Sequence, residues 1–382
     1  MTTFTAKEKA IAIAPKVTAV LSMMGSGFII HQMLFYARHK HGKRCLLPTT
    51  TVNRLLLGMS CCDLIVSFTF FLTSWPIPVE NTSIYGASGN QATCIAQGFF
   101  SQFSLAVVLY NASLSVYYLV KIRYQWRDRF IAHRVEPWLH GGALLGGLGT
   151  SVAGVALDLY NNDSWECWIA PLPQDCQETW QYGSSNCLRG DNASLYRWVF
   201  YYGPLWCAML LVTVAMLAVY RSVLKAEKAV ERYGEGQFTA NTSGSSAAIT
   251  SGTRDSTQRR KHSKKVATQG YWYCGAFYIT WLLPTATRLT QLLMVGDAPP
   301  YPLILLTAMF VPIQGFFNCL VYIHPRYKTL RKDVRATLSS HGGTQGKDAS
   351  AGQNVVSESV AIQEPNVEDD NPSLFPAEAI NS

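Results

Sequence analysis

Apolar positions run along this chain in long, nearly uncharged blocks: Val17–Tyr36, Val52–Trp75, Ala96–Val120, Trp138–Leu159, Tyr196–Tyr220, Gly270–Val295 and Pro302–Ile323. About 20 helical residues cross a bilayer. The pattern therefore predicts an all-α membrane protein, a seven-transmembrane helix bundle within residues 17–338, preceded by a short N-terminal segment, 1–16. No block shows the short apolar core and small-residue cleavage site of a signal peptide, so the first is read as a retained signal anchor. Behind the last block, Tyr327, Leu330, Val334 and Leu338 recur every three to four residues while Lys328, Arg331, Lys332 and Arg335 lie elsewhere on the wheel. That predicts an amphipathic helix over 326–338 lying on a membrane surface.

Between the fifth and sixth blocks, 233–258 is rich in Ser, Thr, Gly and Asn and nearly free of bulky residues, and 339–382 is polar and finally acidic. Neither can bury enough to order itself. Both are expected to be disordered, the first as a loop between basic extensions of two helices, the second as a tail. Gly141, Gly142, Gly146 and Gly149 in the fourth block are read as close helix packing.

Charge adds orientation. Only 15% of the 382 residues are charged while 48% are hydrophobic, against about 25% charged in an ordinary soluble domain. Arg38, Lys40, Lys43 and Arg44 follow the first block, Lys121, Arg123, Arg127, Arg129 and Arg134 the third, and ten Lys or Arg lie between Arg221 and Lys265. The alternate loops hold only Arg189. By the positive-inside rule the basic loops are cytoplasmic and the N-terminus is outside, with Lys7, Lys9 and Lys16 outvoted. The net charge of +8 then belongs to topology and to membrane lipids of the anionic leaflet, and no nucleic acid is expected as a partner.

Sequons at Asn81, Asn162 and Asn192 fall in the loops placed outside, where glycosylation can occur; those at Asn111 and Asn241 do not. Cys94, Cys167, Cys176 and Cys187 also lie outside, and four thiols in an oxidising compartment should form two disulfides. Asp63 is the one acid well inside a block. An ionisable group there is either a protonated, hydrogen-bonded carboxyl or a sodium or proton site, shared with Asn318 and Ser113. Gln314, Asn318 and Tyr322 share one helical face, which must point into the bundle as a polar packing seam or a hinge.

The combination resembles the G-protein-coupled receptors across roughly residues 15–338. Asn318-Cys319-Leu320-Val321-Tyr322 is similar to that superfamily's Asn-Pro-x-x-Tyr motif with cysteine in place of proline, and Asn53 to Leu64 is similar to the rhodopsin-like second helix, with Asp63 on its aspartate. Gln314-Gly315-Phe316 and Cys167-Trp168 look nearer the slime-mould cyclic-AMP receptors and the secretin and adhesion classes. Two departures point away from the rhodopsin-like class proper. Lys121-Ile122-Arg123-Tyr124 has no acid before its arginine, and Trp281-Leu282-Leu283-Pro284 is one residue longer than Trp-x-Pro.

The resemblance implies a plasma-membrane receptor with an extracellular ligand and a heterotrimeric G protein as partners. It implies Cys94 paired with Cys167, leaving Cys176 with Cys187. It implies a switch built from Asp63, Gln314, Asn318, Tyr322, Trp281 and Pro284, and a G-protein site including Lys121, Arg123, Arg127, Arg221, Lys225, Lys264 and Lys265. Position alone makes Trp75, Gln102, Tyr110, Trp168, Arg197, Trp281 and Arg288 candidates for the ligand mouth. Arg197 and Arg288 either snorkel to headgroups, the favoured reading, or face an anionic ligand.

Other classes fare worse. A retinal pump needs a lysine in its last span, and Pro302–Ile323 has none. An enzyme needs clustered ligands or acids, and neither these nor His-Glu-x-x-His occurs, so no activity, metal or cofactor is expected. A seven-span transporter or channel is the alternative, although no internal repeat supports it.

Overall fold

The computed structural model describes residues 4–41, 50–173, 176, 187–240, 249–293 and 299–324, all within the first of two units of the chain, Met1–Tyr327. Its elements are α1 (Ala6–His41), α2 (Thr51–Leu72), α3 (Gln91–Gln102), α4 (Ser104–Ile122), α5 (Asp128–Phe130), α6 (Glu136–Ala156), β1 (Tyr160–Asp163), β2 (Glu166–Ile169), α7 (Ala193–Arg197), α8 (Gly203–Ala240), α9 (Ile249–Leu293) and α10 (Tyr301–Phe310). A final helix, α11, covers 314–324.

Among the described residues six segments are long and apolar enough to span a membrane: Ala6–Phe35, Thr51–Leu72, Gln91–Ile122, Asp128–Ala156, Ala193–Ala226 and Tyr301–His324. The remaining apolar block, 270–293, forms the second half of α9 behind a polar first half. The chain is thus a multi-span membrane protein, and its described residues are mostly helical. α4 is its axis, packing against α2, α6, α8 and α9. The apolar window of Gln91–Ile122 is 83% buried and that of Asp128–Ala156 only 22%, so the latter is peripheral. Outward faces carry Leu145, Val152, Leu210, Val214 and Leu282, which suits lipid rather than water.

Helix ends depart from the expected boundaries for local reasons. α1 starts at Ala6 rather than Val17 because Thr5 and Glu8 cap it reciprocally: Thr5 N–H donates to Glu8 Oε2 at 2.7 Å and Glu8 N–H to Thr5 Oγ1 at 3.4 Å. Most of the expected N-terminal tail is therefore helix. α2 stops at Leu72 because Thr73 adopts φ 45°. Lys16 of α1 then donates to the carbonyls of Phe71 and Leu72, each at 3.0 Å, groups a helix end leaves open. The lysine that ran against the charge rule is a cap.

Prolines mark further departures. Before Pro204, which has no N–H to give, a π turn over Trp198–Tyr202 carries the bond from Gly203 N–H to Trp198 O. A 3₁₀ turn at Val311–Ile313 around Pro312 joins α10 to α11. In α6 the tight crossing is made by Gly147, where a Cβ would stand 2.7 Å from that of Ala106, and by Gly146 against Leu109. Gly141, Gly142 and Gly149 face open space, so the glycine-packing expectation holds for Gly146 alone of those named.

Two expectations change on the polar segments. α8 continues to Ala240 and α9 begins at Ile249, so helix overlaps both ends of the loop read as disordered; Lys225 to Arg232 is an Ala, Glu and Lys run with high helix propensity. The middle of that loop, the amphipathic helix expected over 326–338 and the tail 339–382 lie outside the described residues. The all-α reading also missed a hairpin. β1 and β2 pair antiparallel with Asp163 opposite Glu166, and Ser164 turns the chain at φ 63°.

Candidate functional site

One end of the bundle is built around that hairpin. The structure joins Cys94, on α3, to Cys167 of β2, and Cys176 to Cys187. Gln97, one turn after Cys94, accepts from Cys167 N–H at 2.9 Å and donates to Thr73 O at 2.7 Å. Asn161 Nδ2 of β1 donates to Ala170 O at 2.7 Å, while its Oδ1 accepts from Arg189 at 3.1 Å. Beneath the hairpin, Glu166 is buried with Ser101 Oγ donating to it at 3.0 Å. Burial pushes its carboxyl up to about 8, the negative charge of Asp163 adds to the rise, and the Ser101 hydrogen bond resists it.

Five of the seven mouth candidates converge here. Gln102 at the end of α3 accepts from Trp168 Nε1 at 3.0 Å and donates to Phe200 O at 3.0 Å and Thr150 Oγ1 at 3.1 Å. Arg197 pairs with Asp163 at 3.2 Å and donates to Ile169 O, its guanidinium 5.7 Å from the Trp168 ring centre. Arg288 lies 5.8 Å from the Trp168 ring centre and 4.6 Å from that of Tyr202. Trp168 meets Tyr201 edge-on at 5.2 Å, and Tyr201 meets Trp281 at 5.8 Å. Both arginines are thus turned onto the hairpin and its aromatic neighbours, against the snorkelling reading.

Trp75 and Tyr110 are elsewhere. Trp75 is exposed beside α1, its ring centre 3.6 Å from Lys16 Nζ. Tyr110 is buried between α2, α4 and α6, its hydroxyl 2.9 Å from His140 Nδ1. Of the sequons, Asn192 is exposed and Asn81 half-buried, but Asn162 is buried in β1 opposite Cys167.

The expected switch residues fall into two neighbouring groups. Trp281 Nε1 donates to Gln314 Oε1 at 3.3 Å, with Pro284 buried a turn above. Asp63 instead faces α1: Ser26 Oγ donates to its Oδ2 at 2.5 Å and Ser22 Oγ at 3.2 Å. Ser67 Oγ and Gly315 N–H both donate to Ser22 Oγ at 2.9 Å. A Cβ on Gly315 would stand 2.0 Å from Asp63 Oδ2, and one on Gly25 would stand 2.7 Å from Gly315 O. Two glycines therefore let α1 and α11 cross over the carboxyl. The Asn318 amide reaches Met59 Sδ at 4.0 Å, and Ser113 donates to Leu139 O, so neither shares Asp63. Tyr322 is buried.

A further polar seam was not singled out in the sequence. Arg54 of α2 binds Glu136 of α6 through two nitrogens, at 2.5 and 2.7 Å, and His140 lies 3.8 Å from the same carboxylate. Two charges at the margins of the second and fourth blocks were its available signal. At this end Lys121 pairs with Asp128 at 2.5 Å, while Arg123, Arg127, Arg221 and Lys225 are exposed; Lys264 and Lys265 lie on α9. No group of three or more metal-ligating side chains occurs among the described residues.

The described residues thus form a helical membrane bundle with a hairpin at one end that a disulfide pins to α3. No family model matches the chain. It is 22% identical over 368 residues to the ascaroside receptor GPR3 of Arthrobotrys oligospora, covering 80% of this chain and 82% of that one. Its fold is similar to that of squid rhodopsin, with a TM-score of 0.57 at 14% identity over 91% of this chain and 90% of that one. The first is a distant likeness in sequence and the second a likeness in fold.

Proposed function

We propose that the chain is a plasma-membrane G-protein-coupled receptor of seven spans, α9 supplying the sixth, with its hairpin end outside. It carries the signal of an extracellular ligand to a heterotrimeric G protein. The observation that carries this reading is a continuous line of packed side chains from the hairpin inward: Trp168 on Tyr201, Tyr201 on Trp281, Trp281 on Gln314, and the adjoining Gly315 on the Asp63 cluster. Such a line can bias two helix packings, membrane hydrogen bonds being worth about 0.6–2 kcal/mol each. Its Gln314-Gly315-Phe316 segment also favours the cyclic-AMP-receptor-like group.

Guanine-nucleotide exchange by co-expressed G proteins, screened against small molecules that include cyclic nucleotides and ascarosides, tests the reading. Agonist-dependent exchange that Lys264→Glu/Lys265→Glu abolishes at normal surface level is the expected result. Solute uptake by vesicles without any exchange would place the chain among transporters.

A further inference from the structure

We propose that the hairpin end recognises an anionic group, a carboxylate or phosphate carried by a soluble apolar ligand, with Arg288 as its counter-ion. The proposal rests on the receptor reading and names its ligand class.

Among the described residues the basic groups of this site outnumber the acids that pair with them. Asp163 is held by Arg197 at 3.2 Å and reaches Arg288 only at longer range. The other acid of the hairpin, Glu166, is buried, and burial favours its neutral form. Its hydroxyl partner is Ser101, on the α3 side. Among the described residues Arg288 has no carboxylate at ion-pair distance; one terminal nitrogen donates to Gln291 Oε1, and its Nε is buried without a partner. Among the described residues one positive charge is therefore left over, half-buried beside two aromatic rings.

A guanidinium against Trp168 and Tyr202 gains cation–π attraction, but rings and an amide leave a half-buried charge without the anion that would neutralise it. Arginine's planar fork suits carboxylate and phosphate. The rings around it, Trp168, Tyr201, Tyr202 and Trp281, offer apolar area for the body of such a ligand. Their indole and phenol groups are mostly engaged already, Trp168 by Gln102, Tyr201 by Ser104 and Trp281 by Gln314. Arg288 is the member of the site with a donor to spare.

The test is thermal unfolding of the purified full chain in maltoside micelles, which contain no phosphate. It is run with 4-phenylbutanoate, phenyl phosphate and the neutral 4-phenylbutanamide. Without additive, Arg288→Gln should melt no lower than wild type, because the charge it removes has no carboxylate at ion-pair distance and glutamine keeps an amide donor toward Gln291. At concentrations about 100-fold above their dissociation constants the two anions should raise the wild-type melting temperature by about 2–4 °C. The amide should not raise it, and Arg288→Gln should lose the response. A variant that melts clearly lower, anions and amide that act alike, or no response from wild type would each overturn the proposal. So would an Arg288 dependence seen only in phosphatidylcholine nanodiscs, which would make a lipid headgroup the anion. None of these readouts uses a G protein, so failure of the receptor reading would leave the result interpretable.

Discussion

The two ends of the bundle are held together in different ways. At the hairpin end, a disulfide, a two-stranded ladder and the amides of Gln97, Gln102 and Asn161 tie loop backbone to helices. At the other end, α4, α8 and α9 meet around a small cleft lined by Asn111, Ser115, Tyr118, Gly270, Tyr273 and Cys274, and the buried Tyr118 hydroxyl has no partner. Backbone bonds and a covalent link fix the first end, whereas the second is joined by side chains alone, through the Arg54–Glu136 and Lys121–Asp128 pairs and packing beside a glycine. The comparison suggests a rigid end that holds the ligand and an adjustable end that answers.

The largest effect should come from cutting the rigid end. Cys94→Ser should cost about 2–5 kcal/mol, read as a large loss of surface expression and of melting temperature. Non-reducing peptide mapping of the wild type should join Cys94 to Cys167; a Cys94–Cys176 or Cys94–Cys187 peptide would contradict the hairpin. The centre that links the ends comes next. Gly315→Ala should destabilise by about 1–3 kcal/mol because its methyl would overlap Asp63 and Ser26. Asp63→Asn with Ser26→Ala should be non-additive in melting temperature, whereas Asp63→Asn with Asn318→Ala should add.

Protonation offers a smaller, reversible probe. The carboxyl of Glu166 lies near 8 in the folded chain and near 4.5 when unfolded, so the folded state keeps a proton that the unfolded state releases. Stability present below about 4.5 is therefore lost as pH rises toward about 8, by at most ~1.4 kcal/mol per pH unit. Melting curves of Glu166→Gln should be flatter across that window; an unchanged slope would assign the pH dependence elsewhere. The smallest effect on stability should be that of Gly270→Ala. Its Cβ would stand 3.0 Å from the Tyr118 ring, and the strain is roughly offset by alanine's helix propensity, about 1 kcal/mol better than glycine's. Moving α9 off α4 should nonetheless raise basal nucleotide exchange.

The sequence was most legible where one physical rule dominates. Blocks of apolar residues locate the helices because lipid requires internally satisfied backbone, and the two cysteine pairs join as the resemblance implied. Legibility failed where polar groups find partners far away in the chain. Asp63 was read toward Asn318, yet its hydroxyl partners come from Ser22 and Ser26, an i, i+4 pair in the first block that only a helix crossing brings near. Arg54 and Glu136 are 82 residues apart. Lys16 was weighed as a topology charge but caps α2, a role set by the position of Thr73. Arg197 and Arg288 were read toward headgroups because the hairpin, formed from Asn, Asp, Glu, Cys and Trp with no alternating pattern, was not foreseen.

The most direct test is hydrogen exchange of the purified chain, measured with and without nucleotide-free G protein. Amides of the hairpin, 160–169, should be strongly protected throughout. Those of α8 and α9 around 220–226 and 267–275 should exchange faster and slow several-fold when the G protein binds. Hairpin amides that exchange as fast as the opposite end, or a G protein that leaves both ends unchanged, would contradict the division between a fixed end and a responsive one.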